Sequence, residues 1–387
     1  MIYLDNNATT RAAPEVIEAI MPWLDGAYGN PSAGYRFGRE ARRAIDHARE
    51  QIASLIGAQP EEIVFTSGGT ESNNAAIRSA LALRPGRRAL LTSTVEHSAI
   101  EEVVKHHEST GYEARLNPVD PLGHLDLAAW QAHLEKGDVA IATLIWANNE
   151  TGVISPLAEA SELAAKHDVY FHTDAVQAVG KIPLSVGDLP IQTLSISAHK
   201  LHGPKGIGAL WINRRARFIP QALGGGQENE RRSGTENVPA IVGFGLAAEL
   251  AANALADRPA IAALRDRFES GVLSSVAGVE INGDPALRLP NTSNLFFPGV
   301  DGEGLLILLD EAGVCCSPGS ACSTGQVKPS RIVRAMGHSP ARARGSVRFS
   351  LSRFTTASEI ETAVAAVAKA VGKLRVVMPS SSGRVSG

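Results

Sequence analysis

The sequence predicts an α/β protein, with a large domain on a mainly parallel sheet and a smaller α+β domain after it. Three observations carry this expectation. Between about residues 62 and 213, short apolar runs alternate with amphipathic stretches, the pattern left by right-handed crossovers between parallel strands. The 387 residues exceed what one ordinary core organises, so a second unit is expected. Beyond about residue 290 the strands and helices lose that regular alternation.

Taken in order, Ile63–Thr66 is an apolar strand running through Gly68 and Gly69 into a helical pattern over residues 71–83. A strand at 89–92 leads to a helix at 98–109. A helix over Leu127–Leu134 precedes the strand at 139–146, and a helix over Leu157–Lys166 precedes the strand at 169–172. Strands at Thr193–Ser197 and Gly208–Ile212 complete the set. The alanine-rich stretch 238–264 reads as one long helix bridging the domains. Its most apolar part, 241–256, carries Glu249 and Asn253 and is expected to be a buried helix, not a membrane span. Then follow a strand at 292–297, a helix at 303–311, Val314, a cysteine-bearing loop, a short helix at 330–336, a strand at 347–351 and a helix at 357–373. Residues 379–387 are serine- and glycine-rich and are expected to form a disordered tail.

Composition excludes several functions. A hydrophobic content of 44% with 20% charged residues describes a globular chain. A net charge of −3 gives no electrostatic case for nucleic acid or an anionic membrane. The N-terminus has no signal-peptide pattern, and three cysteines, an odd number, point to a reducing cytoplasm and not a disulfide framework.

The chemistry concentrates at strand ends, where ligands sit in open α/β sheets. Lys200 stands in Ser197-Ala-His-Lys200-Leu-His-Gly, just after an apolar strand. A lysine desolvated there becomes a nucleophile toward carbonyls and suits a Schiff base with pyridoxal phosphate. Ser197 and His199 beside it could bind the phosphate. Asp174 closes another strand, where a carboxylate would keep a pyridinium nitrogen protonated. Gly68 and Gly69 permit close backbone approach at a helix N-terminus that offers N–H groups to a phosphate, and Thr70 adds a hydroxyl. His97 marks a third strand–helix junction. Each segment alone is compatible with an ordinary turn, cap or packing role.

In order, Thr70, His97, Asn149, Asp174, Gln177 and Lys200 resemble the class V branch of fold-type I pyridoxal-phosphate enzymes. Within it the chain resembles cysteine desulfurases of the iron–sulfur-cluster and nitrogen-fixation group. The likeness runs from Tyr3-Leu-Asp-Asn-Asn-Ala-Thr-Thr10 through Trp146-Ala-Asn-Asn-Glu-Thr-Gly152 and Arg231-Arg-Ser-Gly-Thr235-Glu-Asn to Gly319-Ser-Ala-Cys322 and Val347-Arg348-Phe. It implies the fold-type I transferase architecture, with a sheet of the seven-stranded type. Residues 15–255 would form the large cofactor domain, and 1–14 with 256–378 the small domain carrying the cysteine loop.

The resemblance also assigns roles. Lys200 would bind the cofactor and, when free, move protons; His97 would stack on the ring and carry a proton; Gln177 would bond the ring 3-hydroxyl. Gly69, Thr70, Ser197 and His199 would hold the phosphate, and Asn149 would touch ring or substrate. Arg348 would bind the carboxylate of L-cysteine bidentately. Cys322, in a loop of small residues, would be the thiolate that takes up sulfur as a persulfide. Thr235 would reach the neighbouring site of a homodimer, though its place before a helix also suits an N-cap. No resident metal is implied, although Cys322 could transiently ligate an iron–sulfur cluster shared with a scaffold. That scaffold, or another sulfur acceptor, would be the partner. Cys315 and Cys316 suit small buried apolar roles, with a persulfide relay or disulfide as the alternative, and Pro318 departs from the usual loop. Selenocysteine lyase activity and a catalytically silent sulfur-assembly scaffold are the competing readings.

Overall fold

A computed structural model describes residues 1–318 and 329–377. Its central sheet has seven strands: β2 (Ile63–Thr66), β3 (Ala89–Ser93), β4 (Glu113–Asn117), β5 (Val139–Ile145), β6 (Tyr170–Asp174), β7 (Thr193–Ser197) and β8 (Gly208–Ile212). They lie in the order β2-β8-β7-β6-β5-β3-β4. The pairs β7–β6, β6–β5, β5–β3 and β3–β4 are parallel, whereas β8 runs antiparallel to both its neighbours. Strands β5 to β8 are buried along their full length; β5 and β8 accordingly read as apolar runs, whereas β6 and β7 bury polar side chains such as His172, Thr193 and Ser195 as well.

The sequence expectation holds for this sheet with three differences. Strand β4 was not anticipated: as Glu-Ala-Arg-Leu-Asn on a sheet edge, it lacks the apolar run of its neighbours. The strand expected at 169–172 runs over Tyr170–Asp174, two residues further, and ends on Asp174 as expected. The helix expected over 238–264 is two helices, α7 (Val238–Asn253) and α8 (Arg258–Ser275), joined by a 3₁₀ turn at Ala254–Asp257. Pro259 at the start of α8 accounts for the break, since proline is tolerated in a helix's first turn and not in its interior.

Helices α1 (Pro14–Leu24) and α2 (Arg36–Ile56) pack on α7. Sheet-covering helices α3 (Gly69–Leu83), α4 (Ser98–Glu108), α5 (Leu127–Leu134) and α6 (Leu157–Lys166) lie between the parallel strands in sequence. By length and composition the run Val238–Ser275 could span a membrane, but half of its most apolar window is buried inside the protein.

The N-terminal strand β1 (Ile2–Tyr3) pairs in parallel with β11 (Val314–Cys315), more than 300 residues later. Strands β9 (Glu280–Ile281), β10 (Thr292–Phe296) and β12 (Ser346–Ser350) form a three-stranded antiparallel sheet in the order β12-β10-β9. Helices α9 (Gly302–Glu311), α10 (Arg331–Ala335), α11 (Pro340–Arg344) and α12 (Ala357–Val377) complete this part. Five apolar clusters form among the described residues, and the two largest divide between these parts. One gathers the central sheet with α2 and α7, and extends to Ala13 and Leu289; the other joins Leu4 to Phe268, Leu295, Phe349 and Val367. The tail expected to be disordered lies outside the described residues.

Candidate active site

Four adjacent strands deliver the predicted residues to one edge of the sheet. Asp174 ends β6, Lys200 ends the 3₁₀ turn after β7, Asn149 follows β5 and His97 follows β3. Asp174 is 3% exposed, and both its oxygens are engaged: Oδ2 accepts from Asn73 Nδ2 at 2.7 Å and Oδ1 from the Val176 amide at 3.0 Å. Asn73 Oδ1 lies 3.0 Å from His172 Nε2. Because a carboxylate only accepts, Asn73 must turn its NH₂ to Asp174 and its oxygen to a protonated His172 Nε2. The His172 ring is buried and neutral, its pKa pushed down to about 3 by desolvation.

The amine of Lys200 donates to the Ala8 carbonyl at 2.6 Å and to the Asn7 carbonyl. Burial and, second, the Arg348 charge lower its pKa to about 8, against the pull of Asp5 and Asp174. His97 caps α4, its Nδ1 accepting from the Ala99 amide at 3.1 Å. Its pKa is lowered by desolvation; Asp174 acts in the opposite sense and Lys200 in the same one. These mutual effects place the imidazole, carboxylate and amine within electrostatic reach of one another.

Beside them, Glu96 is buried with one carboxylate oxygen held by Ser93 Oγ at 2.6 Å and the Ile145 amide at 3.0 Å, while Oε2 has no partner among the described residues. Desolvation raises its pKa to about 8, with Asp174 adding to the rise. It is therefore a neutral acid at neutral pH. Sequence reading passed over Glu96, although it precedes His97 directly.

Gly68 and Gly69 lead into α3 on the phosphate side of the expected site. A Cβ at Gly69 would lie 2.8 Å from Val176 Cγ2, and one at Gly208 only 2.6 Å from Gly68 Cα. The loop thus sits flush on β8 because these positions lack side chains. Thr70 is exposed at the first turn of α3, and Ser197 is buried close by. His199 is committed elsewhere, its Nδ1 lying 3.1 Å from Thr9 Oγ1, and burial followed by neighbouring lysine charges lowers its pKa to about 4.

Arg348 is 3% exposed on β12; one NH₂ donates to Asp5 Oδ1 at 2.7 Å and the other to the Asn149 carbonyl at 2.9 Å. Its Nε is buried and has no partner among the described residues. Gln177 is buried, and its Nε2 donates to the Asn7 carbonyl at 2.9 Å. Asn7, another residue missed in the sequence, is the hub: its Nδ2 donates to the Asn149 carbonyl at 3.2 Å and to Thr292 Oγ1 at 2.9 Å. No local signal could have revealed it, since its partners lie 142 and 285 residues away.

Two expectations need correction or limitation. Asn237, not Thr235, caps α7: its side chain accepts from the Ala240 amide, and Thr235 stands exposed two residues earlier. Cys322 lies outside the described residues. On its N-terminal side, Ser317 pairs with Arg348 through both backbone groups, at 3.1 and 2.7 Å. On the C-terminal side, Ser330 Oγ donates to Glu150, next to Asn149. Both anchors of the cysteine segment are thus neighbours of site residues. Cys316 packs against the second core, where burial raises its thiol pKa.

The donor set fits pyridoxal phosphate. Asp174 would supply a fixed carboxylate for the ring nitrogen, Lys200 a desolvated amine for the carbonyl carbon, and the first turn of α3 with Ser197 a cradle for the phosphate.

The class V aminotransferase family matches residues 2–362 of the sequence. The chain belongs to that family. Cysteine desulfurase 2 of Trichormus variabilis (strain ATCC 29413 / PCC 7937) is 47% identical over 382 residues, covering 99% of this chain and 96% of the relative. A solved NifS-like protein superposes with a TM-score of 0.90 at 33% identity, over 96% of this chain and 99% of that one. The structure of SspA in complex with cysteine superposes with a TM-score of 0.80 at 33% identity, over 92% and 100% of the two chains. Within the family the chain stands among the cysteine desulfurases, and it is an enzyme.

Proposed function

We propose that this chain uses pyridoxal phosphate to remove sulfur from L-cysteine, giving L-alanine and a persulfide on Cys322. The observation that carries the reading is the convergence of Lys200, Asp174 and His97 at neighbouring strand ends. When bound, the cofactor supplies an electron sink conjugated to the substrate's Cα. Asp174, both of whose oxygens accept hydrogen bonds, would hold the ring nitrogen of the cofactor. Lys200, with its pKa near 8, holds or releases a proton at neutral pH and serves as the base at Cα. His97, lowered in pKa, is a neutral imidazole whose Nδ1 accepts from the Ala99 amide, so its proton sits on Nε2, from which it can be given to the substrate.

Arg348 binds the substrate carboxylate, and Asn149 lies beside it. The Cys322 thiolate attacks the substrate sulfur; the S–S bond forms as the Cβ–S bond breaks, and its electron pair and a proton complete the methyl group of alanine. The cysteine-bound neighbour and the desulfurase relative support this reading.

We further infer delivery of the sulfur to an iron–sulfur scaffold or other acceptor in the cytoplasm, and a homodimer in which Thr235 reaches the partner's site. We place a large unit at residues 15–255 and a small one at 1–14 with 256–378; the second core, from Leu4 to Val371, supports the small unit, while Ala13 and Leu289 pack with the large one. Incubation with L-cysteine and a reductant tests the activity. Equal amounts of alanine and sulfide are expected, and alanine without sulfide would contradict it. Turnover of L-selenocysteine alone would favour the lyase.

A further inference from the structure

Lys181 is a lysine that the reaction leaves without a task. Its amine donates to Gln177 Oε1 at 2.6 Å and to Asn7 Oδ1 at 3.2 Å, and no carboxylate pairs with it among the described residues. It lines a cavity of about 60 Å³ together with Lys200, Asn6 and Arg353. Desolvation, then the charges of Lys200 and Arg348, push its pKa well below the ordinary lysine value. A lysine kept there without a counter-ion costs stability, so its hydrogen bonds must explain it.

Those bonds hold the Gln177 amide at both ends. The Asn7 carbonyl can only accept and so takes Nε2, while Lys181 donates to Oε1. With one Nε2 hydrogen on Asn7, the other is left for a ligand. We propose that Lys181 is a positioning residue that tethers Gln177 so that its second amide hydrogen faces the 3-hydroxyl of the cofactor. This rests on the reading that the ring lies beside Gln177. Without Lys181, Oε1 is left buried without a donor, and the amide turns to find one.

The test is a pH titration of the absorbance of cofactor-loaded protein. A donor on the 3-oxygen stabilises its deprotonated form, so losing the donor makes that oxygen more basic and its hydrogen-bonded neighbour harder to deprotonate. Lys181→Met is expected to raise the midpoint by about half to one pH unit, and Lys181→Arg to restore it. In a Gln177→Ala background, Lys181→Met should move it no further, since both act through one amide. Lys181→Leu gives the same reading should Lys181→Met not fold.

An unshifted midpoint in Lys181→Met, alongside a shifted one in Gln177→Ala, overturns the tether. So does an undiminished shift from Lys181→Met in the Gln177→Ala background. An unshifted Gln177→Ala instead removes the placement of the ring beside Gln177.

Discussion

Asn73 donates to Asp174 at 2.7 Å from a helix that begins at the phosphate side of the site. The bond joins two parts of the expected cofactor cradle, and His172 fixes its direction. Replacing Asn73 by Leu removes one of two hydrogen-bond donors to the buried Asp174 carboxylate. A loss of about 1–2 kcal/mol of charge-assisted bonding is expected, or roughly tenfold in kcat. A kcat equal to the parent's would deny Asn73 this role.

Lys200 should capture cofactor only as the free amine. With a pKa near 8, the rate at which apoprotein takes up pyridoxal phosphate should rise about tenfold per unit from pH 6 to 7 and level off above about 9. The depressed value also means that the folded protein holds fewer protons than the unfolded chain between about 8 and 10.5, so this group makes stability increase with pH there. Arg348→Met removes a repelling charge, and the capture profile should shift upward. A rate independent of pH would show that the amine is not the reacting group.

Glu96 gives the opposite dependence. Its folded pKa of about 8 exceeds the ordinary 4.5, so the folded protein keeps a proton that the unfolded chain releases. Stability conferred by this proton is full below about 4.5 and declines as pH rises toward 8, by up to about 1.4 kcal/mol per unit. Glu96→Gln should flatten denaturation midpoints measured across this window. A slope identical to the parent's would mean that Glu96 is ionised in the fold.

Asp5 neutralises the guanidinium of Arg348. Asp5→Ala leaves that charge buried against one carbonyl, and a destabilisation of about 3 kcal/mol is expected in urea unfolding. The KM for L-cysteine should also rise, because the guanidinium loses its fixed orientation. Parent-like stability together with a parent-like KM would show the pair to be incidental.

Much of this site is legible along the chain. Thr70, His97, Asn149, Asp174 and Lys200 are visible because each follows an apolar run, and strand ends are where an α/β sheet binds ligands. What supports them is not. Asp5, Asn7 and Asn73 act through partners 101 to 343 residues distant, and no local pattern encodes those meetings. The reversed direction of β8 is equally hidden, since strand periodicity has no sense of direction. Pro259 did announce the division between α7 and α8, and an alanine-rich background masked it.

The most direct measurement is a single turnover with L-cysteine without reductant, followed by mass analysis of the peptide containing Cys322. The account predicts one added sulfur atom on Cys322 for each alanine released, and alanine-free, unmodified protein from Cys322→Ala. Alanine formed at the parent rate by Cys322→Ala, or sulfur carried on another residue, would contradict it.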